Sequence, residues 1–249
     1  MKFNKTMLSN ALAVMTLCAL SSQVHAIPSI SIDVVGADWT DLIGGTNINY
    51  IDTDLVAGNE EIRWGVPTTN NGGQSGYRFD SAAPIAGIVL DTDFTLGDFT
   101  HYNFPIQSGG AITSAQLNLS VDLTIDGNPL SEGPFTFSFL HTETPNSADP
   151  CAEGGTNPCP DLVGISSLTS SDTFLIDGVA YTIDLTGFLL GDGTTVTEFL
   201  TDEKETNTAA LLGVITLASV PEPSVLALLG LGFISIFAVS RATKKKTLV

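Results

Sequence analysis

Along most of the chain, hydrophobic and polar residues alternate with a period of two. The longest such run covers residues 117–125, where five apolar positions alternate with four polar ones. Shorter runs of the same kind lie at residues 30–34 and 135–139. This period places one face of a strand on a core and the other in water, as in an antiparallel sheet. The pattern therefore predicts strands, and helical periodicity is nearly absent between residues 27 and 219.

The turn signals between these runs support the same interpretation. Asp126-Gly127 separates two alternating runs, and Asp177-Gly178 lies between two further apolar segments. Asp-Gly pairs favour the type I′ turn of a β-hairpin, which needs positive φ at both positions. A last apolar run, residues 211–218, predicts a final strand covered on both faces. With about eight to eleven short strands, we expect an all-β fold, either an antiparallel β-sandwich or a jelly roll.

Composition and charge narrow the class of protein. The chain has 249 residues, 43% of them hydrophobic, which disfavours disorder. Residues 27–219 hold only Arg63, Arg78 and Lys204 against 26 acidic residues, a formal charge of −23. So acidic a surface repels phosphate backbones and anionic lipid, which argues against nucleic-acid binding. These 193 residues suit a single domain.

The first 26 residues have the three parts of a secretory signal peptide. Lys2 and Lys5 precede an apolar stretch at residues 11–20, and Val24-His25-Ala26 fits the small-residue rule for cleavage. The apolar stretch is too short to span a membrane comfortably. We therefore predict a signal peptide at residues 1–26 and a secreted β-sandwich domain at 27–219.

The C-terminal segment combines a short motif, an apolar helix and a basic tail. Pro221-Glu222-Pro223 stands before a stretch at 225–239 that is apolar apart from Ser235, and Lys244–Lys246 follow it. The apolar stretch is near the lower limit for a spanning helix, and the basic tail would stay in the cytoplasm. Residues 220–249 closely resemble the PEP-CTERM sorting signal. The resemblance implies that Pro221, Glu222 and Pro223 are recognition residues and not catalytic ones.

This resemblance also implies a route and a destination. Proteins with this signal occur in Gram-negative bacteria that make exopolysaccharide. They pass through the inner membrane, are anchored there transiently, and are processed by a membrane protease of the exosortase type. Processing removes the helix, so the mature protein has no membrane anchor. We expect the mature form at the outer surface or in the extracellular matrix.

A second motif, Thr100-His101-Tyr102-Asn103, lies in a predicted strand. Extended backbone puts Thr100 and Tyr102 on one face and His101 and Asn103 on the other, which we interpret as a polar face. An imidazole and a carboxamide there can bind a polar ligand or fix a loop through hydrogen bonds. His141 is a candidate partner for His101.

The same string resembles the signature of the THxN family of PEP-CTERM proteins. The family comprises exported proteins of about this size without an established activity, so the resemblance implies Thr100, His101 and Asn103 as motif residues and no catalytic residue.

Two further groups of residues suggest structure or metal binding. Cys151 and Cys159, which bracket a Gly/Asn/Pro-rich loop in an exported chain, predict a disulfide, with a metal site as the alternative. Asp91 and Asp93 place carboxylates two residues apart beside a predicted turn, as do Asp52 and Asp54. Calcium is one use of such pairs, and a turn capped by Asp side chains is the other.

The motifs of common enzymes are missing from the sequence. It has no Gly-x-Ser-x-Gly, His-Glu-x-x-His or phosphate-binding glycine loop. We expect a non-enzymatic surface or exopolysaccharide-matrix protein, a structural or glycan-binding component of biofilm. The candidates for stacking on sugars are Trp39, Trp64, Tyr77 and Tyr102. The alternatives are a secreted polysaccharide-modifying hydrolase, which needs only two facing carboxylates, and assembly through an exposed strand edge.

The C-terminal signal yields a direct prediction. Processing should leave a mature chain that ends near Pro221, because the helix and basic tail belong to the removed signal. Intact mass spectrometry of the secreted protein measures this end. Secreted protein that still carries Arg241 would contradict the prediction.

Overall fold

The structure is a computed structural model, and it describes residues 28–53, 56, 58–70, 72–168, 172–176 and 178–218. The predicted signal peptide and the predicted sorting helix lie outside these residues. None of the described residues forms a helix that could span a bilayer.

In the described part of the chain, fourteen strands form two antiparallel sheets. The first sheet has six strands, in the spatial order β13 (Glu198–Thr201), β9 (Asp161–Ile165), β8 (Asn128–Thr142), β7 (Ile112–Ile125), β1 (Ile30–Gly44) and β5 (Ile85–Ile88). The second sheet has eight strands, with the order β10 (Phe174–Ile176), β11 (Val179–Leu189), β14 (Glu205–Leu217), β6 (Phe94–Asn103), β4 (Ser75–Ser81), β3 (Glu61–Trp64) and β2 (Asn49–Ile51), and with β12 (Thr195–Val196) paired to β11. The predicted all-β class is confirmed, and the two sheets form a sandwich.

The hairpin of β7 and β8 shows why the alternation folds as it does. The five apolar positions between Leu117 and Ile125 are all buried, and the polar ones between them face outward. Asp126 and Gly127 connect the strands with φ values of 48° and 82°. These are the positive angles that a type I′ turn requires, so the hairpin prediction is confirmed.

The core between the sheets is an aromatic layer. Phe139 from β8 stacks on Phe99 from β6, with ring centroids 5.3 Å apart and planes 2° from parallel. Trp39 from β1 packs on Phe139 at 5.3 Å and on Tyr77 from β4 at 5.4 Å. All four side chains are fully buried. Because each pair except Trp39–Phe139 joins one sheet to the other, this layer holds the sheets together.

Two expectations about strands need correction. The structure has more strands than expected from the sequence, because several contain only two to four residues and carry no visible alternation. The final strand begins at Glu205 and not at Leu211. The first half of this strand pairs with β6 but is largely exposed and polar. A search for apolar runs in the sequence therefore does not detect it.

Three of the four aromatic residues proposed for sugar stacking belong to the core. Trp39, Trp64 and Tyr77 are fully buried, and the indole N–H of Trp39 donates a hydrogen bond to the backbone oxygen of Glu60 at 2.9 Å. These rings cannot receive a sugar, since both faces are covered by other side chains. Only Tyr102 is partly exposed.

The outermost strands of both sheets are short. β13 and β5 have four residues each, and β2 and β10 have three each. Where β8 extends past β9, it contains Pro129 and Pro134, which have no backbone N–H. Where β1 extends past β5, the N–H of Trp39 donates to the backbone oxygen of Asn59.

The aromatic layer predicts how neighbouring residues of β8 differ in their effect on stability. Phe139→Ala should reduce the free energy of unfolding by about 3–5 kcal/mol, because it leaves a cavity against Phe99 and Trp39. Leu140→Ala is the matched control, since this side chain is 50% exposed on the outer face, and its effect should stay within about 0.5 kcal/mol. Urea denaturation measures both. Equal losses would mean that the two faces of β8 are assigned wrongly.

Candidate functional site

The Thr100–Asn103 motif forms the end of β6, and its polar residues face the interior. His101 and Asn103 are fully buried, on the same side of the strand as Phe99, whereas Tyr102 faces outward. The alternation was predicted correctly, but the expectation that His101 and Asn103 present a polar face to solvent is wrong. Phe99 and the buried Leu96 set the inward side of the strand, and the motif continues that side with polar groups.

Thr201, the last residue of β13, forms a hydrogen bond with each of the two buried residues of the motif. Its Oγ1 lies 2.8 Å from Nδ1 of His101, and its backbone oxygen accepts a hydrogen bond from Nδ2 of Asn103 at 2.9 Å. The same hydroxyl donates to the backbone oxygen of Asp161 at 3.1 Å. A hydroxyl has only one hydrogen, so Thr201 must accept from His101. We therefore assign the proton of His101 to Nδ1, which leaves a lone pair on Nε2.

A second histidine lies beside the motif. His141, on β8 of the first sheet, has its ring centroid 5.1 Å from that of His101, at an angle of 84°. Its Nδ1 lies 2.8 Å from the hydroxyl of Tyr77. Trp64 stacks on His101 at 6.0 Å and contacts His141 edge-on at 5.4 Å. Both imidazoles are thus enclosed by aromatic rings, and the structure brings together the two histidines that the sequence could only suggest as partners.

A buried carboxylate completes the cluster. Asp161, the first residue of β9, has no exposed surface, and its Oδ1 accepts a hydrogen bond from the backbone N–H of Thr144 at 2.8 Å. Its Oδ2 faces Nε2 of His141 at 3.9 Å, and Oε2 of Glu143 lies 3.6 Å from the same nitrogen. These separations are too long for hydrogen bonds.

The disulfide supports the segment that carries Asp161. Cys151 and Cys159 are joined, and the closed loop ends two residues before Asp161. The hydroxyl of Thr144 lies 2.9 Å from the backbone oxygen of Pro160 and 3.1 Å from that of Cys159. The loop is therefore tied to the end of β8 next to the histidines.

Several buried polar atoms of these residues have no hydrogen-bond partner among the described protein groups. They are Nε2 of His101, Nε2 of His141, Oδ2 of Asp161, Oδ1 of Asn103 and Oε2 of Glu143. His101, His141 and Asp161 can each place one ligand atom within 4.8 Å of the others. In the described part of the chain, this is the only group of three such side chains that could hold a metal ion.

Burial shifts the protonation of the cluster. It holds the pKa of His101 well below its usual range, and the nearby His141 and Arg63 lower that pKa further. It raises the pKa of Asp161 to about 8, with a further contribution from Glu143. It also raises the pKa of Tyr77 well above its usual value. At neutral pH the imidazole of His101 and the phenol of Tyr77 are therefore uncharged.

A surface groove leads to the cluster from one side. Its volume is about 680 Å³, and it is lined by the stretch from His141 to Ser147 and by residues around Gln107. Glu143 stands in its wall with a partly exposed side chain, while its Oε2 is buried. Glu143 therefore connects the groove to the buried histidines.

The outward side of the same motif forms a different surface. We call it the arginine face, and it consists of Arg63, Arg78 and Tyr102 with the acidic partners Glu61 and Asp80. The guanidinium carbon of Arg63 lies 3.4 Å above the ring centre of Tyr102. Nε of Arg63 donates a hydrogen bond to Oε1 of Glu61 at 2.6 Å. On the neighbouring strand β4, Arg78 forms an ion pair with Asp80. A Cβ atom at Gly76 would lie 2.4 Å from Cδ of Arg63, so the glycine leaves room for the arginine to lie flat.

The predicted calcium residues are not brought into a ligand set. Asp91 and Asp93 are both exposed in the turn before β6, and the N–H of Asp91 donates to the backbone oxygen of Ile215. Asp52 is also exposed, and Asp54 lies outside the described residues. The geometry of Asp91 agrees with the alternative interpretation, a polar turn.

Sequence reasoning missed the residues that complete the cluster. Asp161 was one of 26 acidic residues, and Thr201 lies 100 residues from His101 along the chain. Neither has a local motif, so only the pairing of the strands reveals them. The position of Asp161 directly after the disulfide loop is the one local signal that could have singled it out.

The hydroxyl of Thr201 should contribute more to stability than a surface hydroxyl. Thr201→Val removes the acceptor for Nδ1 of His101 and leaves it buried and unpaired, which should cost about 1–3 kcal/mol in unfolding free energy. Thr208→Val is the control, because its hydroxyl contacts Thr100 on the exposed face at 3.0 Å. Urea denaturation of both variants tests this, and equal costs would contradict the assigned network.

Comparison with known proteins bears on export. Residues 219–242 match the family model of the PEP-CTERM protein-sorting motif. A search of curated proteins finds no match to the chain. The matched residues contain the Pro221-Glu222-Pro223 string, and such a motif indicates a secreted protein that an exosortase membrane enzyme sorts. The chain therefore carries a PEP-CTERM sorting motif and is exported as a substrate of exosortase sorting.

Proposed function

We propose that the protein is a non-enzymatic component of the outer surface or exopolysaccharide matrix, and that it binds glycan through the arginine face. We also infer that Thr100–Asn103 is a THxN-type motif whose inward residues support the fold and whose outward residues contribute to this face. The observation that carries the proposal is the placement of the arginines. Arg63 and Arg78, the only arginines between residues 27 and 219, stand side by side on one sheet face beside Tyr102.

The chemistry of this face suits a polysaccharide. The ring of Tyr102 holds the guanidinium of Arg63 flat on this face, and guanidinium and carboxylate groups bind pairs of hydroxyls. Thr100 and Thr208 place two hydroxyls next to the ring along β6 and β14. Since all these groups come from neighbouring strands of one sheet, the surface is broad and suits an extended chain more than a small molecule.

Charge favours this face over the rest of the domain. Arg63 and Arg78 are balanced by Glu61 and Asp80, so the patch is close to neutral on a domain that is otherwise strongly acidic. Bacterial exopolysaccharides that carry acidic groups would be repelled elsewhere. The arginine face therefore combines hydrogen-bonding capacity with low repulsion.

Binding should depend on Arg63 and Tyr102. We expect that Arg63→Ala and Tyr102→Ala each weaken co-sedimentation of the exported protein with the exopolysaccharide of its host by about tenfold or more, because each removes a contact worth about 1–2 kcal/mol. Gln116→Ala, on the outer face of the first sheet, is the matched control and should bind as the unchanged protein does.

The outcome separates the possible functions. Unchanged binding in both variants, with the fold intact by circular dichroism, would refute a glycan site on this face. No binding by the unchanged protein would leave a structural role alone. Release of reducing ends from the polysaccharide during the assay would instead favour a hydrolase.

A further inference from the structure

We propose that His101, His141, Asp161 and Glu143 form a buried binding site for one divalent transition-metal ion of the Zn²⁺ class, which links the two sheets of the sandwich. The proposal concerns the interior of the domain and does not rest on glycan binding at the arginine face. Its basis is the three side chains of His101, His141 and Asp161, which can each place one ligand atom within 4.8 Å of the others. Oε2 of Glu143 lies 3.6 Å from Nε2 of His141, and Nε2 of both histidines, Oδ2 of Asp161 and Oε2 of Glu143 are all buried without a hydrogen-bond partner.

The separations of these atoms approach those of a metal site. Nε2 of His141 lies 3.6 Å from Oε2 of Glu143 and 3.9 Å from Oδ2 of Asp161. In a tetrahedral zinc site with bonds of about 2.0–2.2 Å, ligand atoms stand roughly 3.3–3.6 Å apart. The ligand atoms of His101, His141 and Asp161 lie within 4.8 Å of one another, so the side chains would rotate inward on binding the ion. The same atoms are too far apart to satisfy one another by hydrogen bonds.

The outer contacts of the histidines prepare them as ligands. The chain of hydrogen bonds from Nδ1 of His101 through Thr201 to the backbone oxygen of Asp161 leaves the lone pair of Nε2 pointing away from that network. In His141 the hydroxyl of Tyr77 contacts Nδ1 and can accept its hydrogen when Nε2 binds a metal. Such second partners fix the ring orientation at metal sites.

The ligand atoms also identify the class of ion. A metal ion displaces the proton that burial favours on Asp161, and the two carboxylates then supply two negative charges, which a divalent cation balances. Imidazole nitrogen suits zinc and its first-row neighbours, whereas calcium and magnesium prefer oxygen ligands throughout.

The ion would act as a clamp between the sheets. His101 comes from β6 of the second sheet, while His141 and Asp161 come from β8 and β9 of the first. With four protein ligands the coordination shell is closed, as in structural zinc sites. The groove that ends at Glu143 gives the ion a route from the surface.

The test uses the exported protein, purified from the bacterium that produces it. The metal content is measured by mass spectrometry as purified and after dialysis against a chelator, and Zn²⁺ is then titrated by calorimetry. We expect one Zn²⁺ per chain. Saturation at about 100 times Kd should raise the Tm of the chelator-treated protein by roughly 5–10 °C, because the ion binds only the folded state.

Variants distinguish this site from adventitious binding. Asp161→Asn keeps the acceptor for Thr144 but removes a charged ligand, and Glu143→Gln changes a partly exposed ligand with little risk to folding. Each should weaken Zn²⁺ binding at least 100-fold and abolish the shift in Tm. Asp91→Asn, which removes an exposed carboxylate in a turn, is the control and should bind Zn²⁺ as tightly as the unchanged protein.

Three results would overturn the proposal. The first is no bound Zn²⁺ and no shift in Tm for the unchanged protein. The second is Zn²⁺ binding that persists in both Asp161→Asn and Glu143→Gln. The third is stabilisation by Ca²⁺ but not by Zn²⁺, which would place the ion elsewhere or make the site one of a different class.

Discussion

The contact between Phe99 and Phe139 determines how the rest of the molecule is arranged. Stacked across the interface at 5.3 Å, these rings set the spacing of the two sheets and, through alternation, which residues of β6 and β8 face inward. Two residues farther along each strand, the same inward side holds His101 and His141. The polar cluster is thus a continuation of the hydrophobic core, built by the same register.

This continuity explains why the cluster is costly and why it is enclosed so completely. Burying imidazole and carboxylate groups away from water is unfavourable unless hydrogen bonds or ions compensate. Part of that cost is compensated by the hydroxyl of Thr201 at His101, the hydroxyl of Tyr77 at His141 and the backbone N–H of Thr144 at Asp161. The atoms that stay unpaired include Nε2 of both histidines and Oδ2 of Asp161, and the metal site is proposed from these.

Much of the fold could be predicted from the sequence, and less of the site. The alternation at residues 117–125 identified β7 because that strand is buried on one side only, and the turn at Asp126-Gly127 identified its hairpin. The motif at residues 100–103 was recognised as a strand, but its inward side was assigned wrongly because polar residues were expected to face water. The apolar Phe99 lies on the same side of the strand as His101, and this indicates that His101 faces the core.

The other partners depend on strand pairing over long distances. Thr201 reaches His101 because β13 lies at the edge of the first sheet. No sequence pattern near residue 201 predicts that position. Asp161 meets His141 because β8 and β9 are neighbours. The domain boundaries at residues 26 and 220, together with the sorting helix, remain predictions from sequence.

The short outermost strands affect how readily copies of the chain associate through their sheet edges. An exposed strand edge invites another chain to extend the sheet, and this leads to fibres or precipitates. Edges of three or four residues, and prolines where β8 is uncovered, offer few donors for such growth. Such edges are poorly suited to growth by strand addition, so contacts between copies of the chain would have to use the faces of the sheets.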